Sequence, residues 1–287
     1  MAAMNLRPGD AKAGSHKKGG IREMVEIAVP MVVSQACYTI MTFTDRVFLS
    51  RLGPEYMNAS MVGGLTVFMM MTFFLGLTGY ATAIAAQYLG ASQKEKCSVT
   101  LTQAVIISFL AYPVIFLSKP LARSMFEFMG IDPGQLVHQE VYFNILIAAS
   151  IVPLLRGAFS AFFSGIGKTR AVMASGLTAM CVNVIMNYIL IFGRLGFPAM
   201  GIAGAAWGTF IGIGVSAAIN MGVFLSGPMN RDFQSRRTLA VSGAKMRGLL
   251  TVGLPAGVSL TVNVAVWGMV LFTLVGRFGR EALAATS

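Results

Sequence analysis

The stretch REMVEIAVPMVVSQACYTIMTFTDRVFLSRLG, Arg22–Gly53, is apolar for long enough to cross a bilayer, and it carries one acid, Asp45, well inside it. A spanning helix needs about 20 such residues. A second stretch, RGLLTVGLPAGVSLTVNVAVWGMVLFTLVGRFG, Arg247–Gly279, has the same layout. At a displacement of 225 residues Arg22 falls on Arg247, Pro30 on Pro255, Val33 on Val258, Ser34 on Ser259 and Leu49 on Leu274. One gap later, Arg51-Leu52-Gly53 falls on Arg277-Phe278-Gly279, and Ala59 on Ala285. Any two apolar helices share small and aliphatic residues. The shared proline and the shared Arg-x-Gly exit favour an internal repeat.

Working outward, the chain contains seven apolar runs, at 25–50, 58–86, 98–118, 139–163, 171–192, 202–226 and 249–276, separated by turns and charge clusters. Six spans return the chain to its starting side, so the seventh restarts from there and the repeat is parallel. The expected fold is an all-α polytopic membrane protein: a six-helix N-terminal lobe plus the first helix of a parallel-repeat second lobe. Its divisions are a cytoplasmic tail over 1–20, the lobe over 21–228, a basic cytoplasmic linker over 229–247 and the start of a C-terminal lobe over 248–287. The repeat calls for an eighth helix where Ser287 stands. A truncated chain, whose further C-terminal helices are partners from the same protein, is therefore expected.

Composition agrees. Of 287 residues, 55% are hydrophobic and 11% charged, against about 25% charged in an average globular chain. With a mean hydropathy of +0.71, this excludes a soluble domain, a disordered chain and a disulfide scaffold. Cys37, Cys97 and Cys181 are dispersed and show no metal-ligand spacing. The net charge of +11 sits in short loop clusters, with no basic run interleaved with aromatics, so no nucleic-acid partner is expected.

An N-terminus in the cytoplasm puts Arg7, Lys12, Lys17, Lys18, Arg22, Lys94, Lys96, Lys168, Arg170, Arg231, Arg236, Arg237, Lys245 and Arg247 inside. Only Arg51, Lys119, Arg123, Arg194, Arg277 and Arg280 then lie outside. Fourteen against six is a positive-inside bias, which orients the protein in the plasma (inner) membrane with a cytoplasmic N-terminus.

A charge near the bilayer centre costs about 2.5–3.5 kcal/mol on insertion scales, so an intramembrane acid invites a functional role. Asp45 shares a helical stripe with Pro30, Ser34, Tyr38 and Met41. A carboxyl group facing a wet cavity there can carry a proton; the plainer alternative is a pairing with Arg46 near the interface. Asn183 and Asn187, at i and i+4, share a face. Their carbonyls can coordinate Na⁺ or bond a protonated acid, or the amides can simply join helices. Arg156 lies mid-helix and can line a cavity or meet a lipid phosphate. The run Gly201–Thr209 is dense in small residues, which lets helix backbones touch. His16 and His138 are isolated, and no nucleophile or metal constellation appears, so an enzyme is not expected.

Four landmarks together resemble the multidrug and toxic compound extrusion (MATE) family of antiporters, especially its bacterial and archaeal DinF-like branch. They are Pro30 followed by Thr44-Asp45-Arg46-Val47-Phe48-Leu49-Ser50-Arg51-Leu52-Gly53, then Ala86-Gln87-Tyr88-Leu89-Gly90-Ala91, then Asn183 through Gly193, then Met200 through Thr209. The resemblance spans the chain. It implies two six-helix bundles, a central cavity for amphipathic organic cations, and export driven by H⁺ or Na⁺ entry with no other cofactor. It also implies an ion or proton site, or a Na⁺ site, at Asp45, Asn183 and Asn187. Ser34, Tyr38, Thr209 and Arg156 are further cavity candidates, and Pro30 is a hinge in the first helix. Two positions depart from the family pattern: Asn187 stands where several relatives carry a second acid, and Asn263 where another branch has a glutamate. Two alternatives are a lipid-linked saccharide flippase of the same superfamily, which would draw on Arg46 and Arg156, and a membrane scaffold that does not transport.

Overall fold

Every regular element among the described residues is a helix; the computed structural model describes residues 20–128, 131, 133–237 and 242–269. The rest of the tail, and the repeat partners Leu274, Arg277-Phe278-Gly279 and Ala285, lie outside the described residues, as does Arg280. The helices are α1 (Ile21–Ser50), α2 (Pro54–Gly79), α3 (Ala81–Gly90), α4 (Lys94–Leu117), α5 (Lys119–Phe128) and α6 (Pro133–Ala148). They continue as α7 (Ile151–Gly165), α8 (Thr169–Phe192), α9 (Ile202–Phe224), α10 (Gly227–Phe233) and α11 (Gly243–Met269).

Among the described residues six spans stand by length and composition, and a seventh if one bent helix pair counts as a single span. Met24–Ser50, Pro54–Gly90, Lys94–Leu117, Thr169–Phe192, Ile202–Phe224 and Lys245–Gly268 are each long and apolar enough to cross a membrane. The remaining span is the pair α6 and α7, bent by 50° at the Ala149-Ser150 break. The break divides the apolar run over 139–163, which is otherwise continuous in sequence. Pro153 is the physical cause: it has no N–H for the carbonyl of Ala149, and its ring crowds that carbonyl. Proline also starts helices here, at the first position of α2 and of α6, where the missing N–H costs nothing. Gly193 ends α8 at φ 67, a left-handed turn that a side chain would disfavour. Helix α10 runs from the end of the lobe into the linker, and α11 begins at Gly243.

Small residues set the closest packing. Along α9, Gly204, Gly208 and Gly212 recur every fourth residue, on one face, and press against Leu190, Asn187 and Asn183 of α8. Gly253 and Gly257 of α11 seat against Leu77 and Phe73 of α2 in the same manner. Helix α1 packs chiefly on α8, so its Asp45 stripe meets the α8–α9 pair. Towards the end of the lobe where α1 begins, an aromatic cluster of Phe162, Phe224 and Phe233 closes the core.

Candidate ion site

Three helices bring their polar groups to one point in the half of the lobe where α1 ends. Asp45 of α1 is only 5% exposed, and Asn183 and Asn187 of α8 are fully buried. The Asn187 side-chain amide donates to Asp45 Oδ1 and also, at 3.3 Å, to Asn183 Oδ1. From α9, Thr209 Oγ1 donates to Asp45 Oδ2 at 2.9 Å. Both carboxylate oxygens are therefore held, which is the usual condition for keeping a charge out of water. The close approach of Asn187 depends on Gly208, because a Cβ there would collide with Asn187 Oδ1.

The oxygens gathered are two from the carboxylate, one from each amide and one hydroxyl. Hard cations prefer a ligand set of oxygens alone. Asn187 Oδ1 and Asn183 Nδ2 have no protein partner, leaving one acceptor and one donor to spare. Among the described residues no cluster of three or more His, Cys, Asp or Glu exists.

Beside the carboxylate lies a cavity of about 310 Å³, lined by Tyr38, Met41, Asp45, Arg46, Tyr142 and Thr209 among others. Arg156 of α7 stacks its guanidinium 5.8 Å above the Tyr38 ring, which ties it to the cavity wall. Arg46 lines the same cavity rather than reaching away from it. Ser34 does not join this group: it faces α8, 3.1 Å from where a Cβ on Gly176 would stand. Pro30 is buried in α1, some four turns from Asp45, where it can act on the helix axis but not on the site. Tyr142 of α6 is a buried cavity residue that the sequence did not single out, as are Ser60 and Met61 of α2. The only signal at Tyr142 was an aromatic ring with a polar tip inside an apolar run. Asn263 of α11 opens on another cavity, of about 730 Å³, between α3, α7 and α11.

The fold and this site define a polytopic α-helical membrane protein whose bundle holds a buried acid, bonded by Asn187 and Thr209, at the edge of a mixed polar and apolar cavity. The sequence profile of MatE matches residues 30–189, more than half of the chain, and the chain belongs to this family. It is 26% identical over 269 residues to the probable multidrug resistance protein NorM of Bacillus subtilis, which covers 92% of this chain and 59% of that protein. The protein of the same name from Chromobacterium violaceum is also 26% identical, over 274 residues, or 92% of this chain and 57% of that protein. The chain thus spans under two thirds of the length of these relatives. Among solved structures, a MATE crystal structure in a bent conformation superposes with a TM-score of 0.76 at 21% identity, covering 92% of this chain and 58% of that one. The outward-facing conformation of a multidrug resistance MATE family transporter of the MOP superfamily also reaches 0.76, at 21% identity, covering 87% of this chain and 55% of that one. These structures share the fold.

Proposed function

We propose that the chain forms part of a secondary active multidrug exporter that moves amphipathic organic cations outward in exchange for H⁺ or Na⁺. The observation that supports this most is the buried Asp45, held through both oxygens and open to a cavity. A carboxylate so placed binds either a small ion or a cationic substrate, and competition between them is the simplest basis for exchange. Asn183, Asn187 and Thr209 complete the ion site, and Tyr38 and Arg156 shape the cavity wall. The NorM relatives, named as probable multidrug resistance proteins, support an exporter of several compounds. We keep the DinF-like branch within the proposal, on the acid in the first helix and on Asn263 in place of a glutamate. The setting is the plasma membrane with the N-terminus in the cytoplasm, on the charge bias of the loops.

A pyrophosphate-bearing lipid would need several cations in the groove; here Arg46 shares its cavity with Asp45, so the flippase alternative has less support. A scaffold without transport has no use for a buried acid. The test is gradient-driven efflux from cells lacking their own pumps. Asp45→Asn should reduce efflux to background with the protein still inserted; wild-type rates would overturn the proposal.

A further inference from the structure

An exchanged ion has to cross the whole membrane, yet Asp45 lies about 8 Å from the end of α1 and about 36 Å from its beginning. The α8–α9 seam offers the remaining distance. Ser216 follows Gly212 by one turn of α9, and Asn220 follows Ser216 by another, which makes it a neighbour of Ser216 about 80° round the helix from Gly212. Ser216 Oγ donates to Ser175 Oγ of α8 at 3.2 Å, and Ser175 Oγ donates to the Val172 carbonyl at 2.9 Å. Asn220 is fully buried, and neither its amide nitrogen nor its amide oxygen has a protein partner. An amide that only joined helices would bond across the seam. An unpaired buried amide loses its hydration with nothing in return, so buried amides of this kind normally hold water or an ion.

Two further features bracket this group. Towards Asp45 the seam is closed by Met41, Ala179 and Ile213, all buried and apolar. Met41 also lines the Asp45 cavity, and its methyl lies 3.3 Å from where a Cβ on Gly212 would stand. In the other direction, about 9 Å along α8 from Ser175, Thr169 lines an open cavity of about 820 Å³ that includes Glu26 and Lys168.

We propose that Ser175, Ser216 and Asn220 form a second polar station, through which a small hydrated cation passes between the Asp45 site and the end of the lobe where α1 begins, with Met41 as the gate between the two. Met41 and Asp45 lie on one helix four residues apart, so a shift of α1 that follows occupancy of Asp45 also moves the gate.

This inference rests on the antiport proposed above, and the test separates the two. The native protein is reconstituted in vesicles with an imposed pH or Na⁺ gradient, and Asn220→Leu is compared with Asp45→Asn. Asn220→Leu should slow gradient-driven export about tenfold or more while changing equilibrium binding of substrate, and its displacement by H⁺ or Na⁺, by no more than about twofold. Wild-type export in Asn220→Leu, with Asp45→Asn inactive, overturns the station and leaves the antiport standing. Wild-type export in Asp45→Asn overturns the antiport itself. Loss of equilibrium binding in Asn220→Leu makes the residue structural and also overturns the station. Met41→Ala is the second variant, should Asn220→Leu not fold. It should raise ion leak without substrate several-fold, and an unchanged leak removes the gate.

Discussion

Gly208 decides how near Asn187 comes to Asp45. A methyl group at that position would occupy the place of Asn187 Oδ1, and the amide would have to swing off the carboxylate. Overpacking of this kind costs about 1–3 kcal/mol. Gly208→Ala should therefore lower the Tm of the purified protein by several degrees and weaken H⁺ or Na⁺ competition with substrate about tenfold; unchanged competition would show that Asn187 is not an ion ligand. Thr209 makes a cleaner comparison because it touches Asp45 directly. A hydrogen bond to a charged group is worth about 1.5–3 kcal/mol, or roughly ten- to a hundredfold in affinity. Thr209→Ala should show that loss in the ion competition constant, and Thr209→Ser should restore most of it. Asp45 and the Asn183/Asn187 face were legible because a charge in the bilayer is expensive and i, i+4 spacing is local. Tyr142 was not, since what makes it a cavity residue is the docking of α6 against α2 and α9, and no local pattern encodes that.

At the scale of elements, the spans were readable from apolar length, but their breaks were not weighed. Pro153 stood in plain view inside the fourth run, where a single proline can either kink a helix or be absorbed near its start. Here it does both, ending one helix and sitting in the first turn of the next. The short α10 was hidden for another reason: seven residues show too little periodicity to read. Its order comes from tertiary contacts. Phe233 is buried against Phe162, and its carbonyl accepts from Ser98 Oγ of α4 at 2.8 Å. Gln234, just past the helix, donates to Glu95. Lys168 and Asp232 also approach to 3.9 Å, but both side chains are about half exposed. Removing a buried phenyl ring costs about 3–5 kcal/mol, whereas exposed ion pairs contribute about 0–1. Phe233→Ala should accordingly lower the Tm far more than Asp232→Asn. Equal effects would mean that charge, not the aromatic socket, holds α10 in place.

In the molecule as a whole, α1 shares with α11 the smallest buried portion among the described spans, which leaves it room to move. Val29, Val32, Ile40 and Phe43 face outward from it, so one stripe alone ties it to the lobe. That stripe holds Asp45 at one end and Pro30 near the other, where the helix already lacks one backbone hydrogen bond. Two mechanisms of release can be separated on this basis. In one, loading Asp45 with an ion removes the charge that holds a cationic substrate, and α1 bends near Pro30, shrinking the cavity. In the other, ion and substrate compete for a single carboxylate and α1 stays straight. Spin labels at Val25 and Phe43, each paired with an exposed position on α8 such as Ile185, report the two halves of α1 separately. Bending should change the Phe43 distance by several ångströms between ion-loaded and ion-free protein, with the Val25 distance nearly fixed, because the α1 residues that line the cavity all lie on the Phe43 side of Pro30. If both distances stay constant while release still follows the ion, the hinge is eliminated and direct competition at Asp45 accounts for the exchange. If both change together, α1 moves as a rigid rod, and Pro30 has no part in the step.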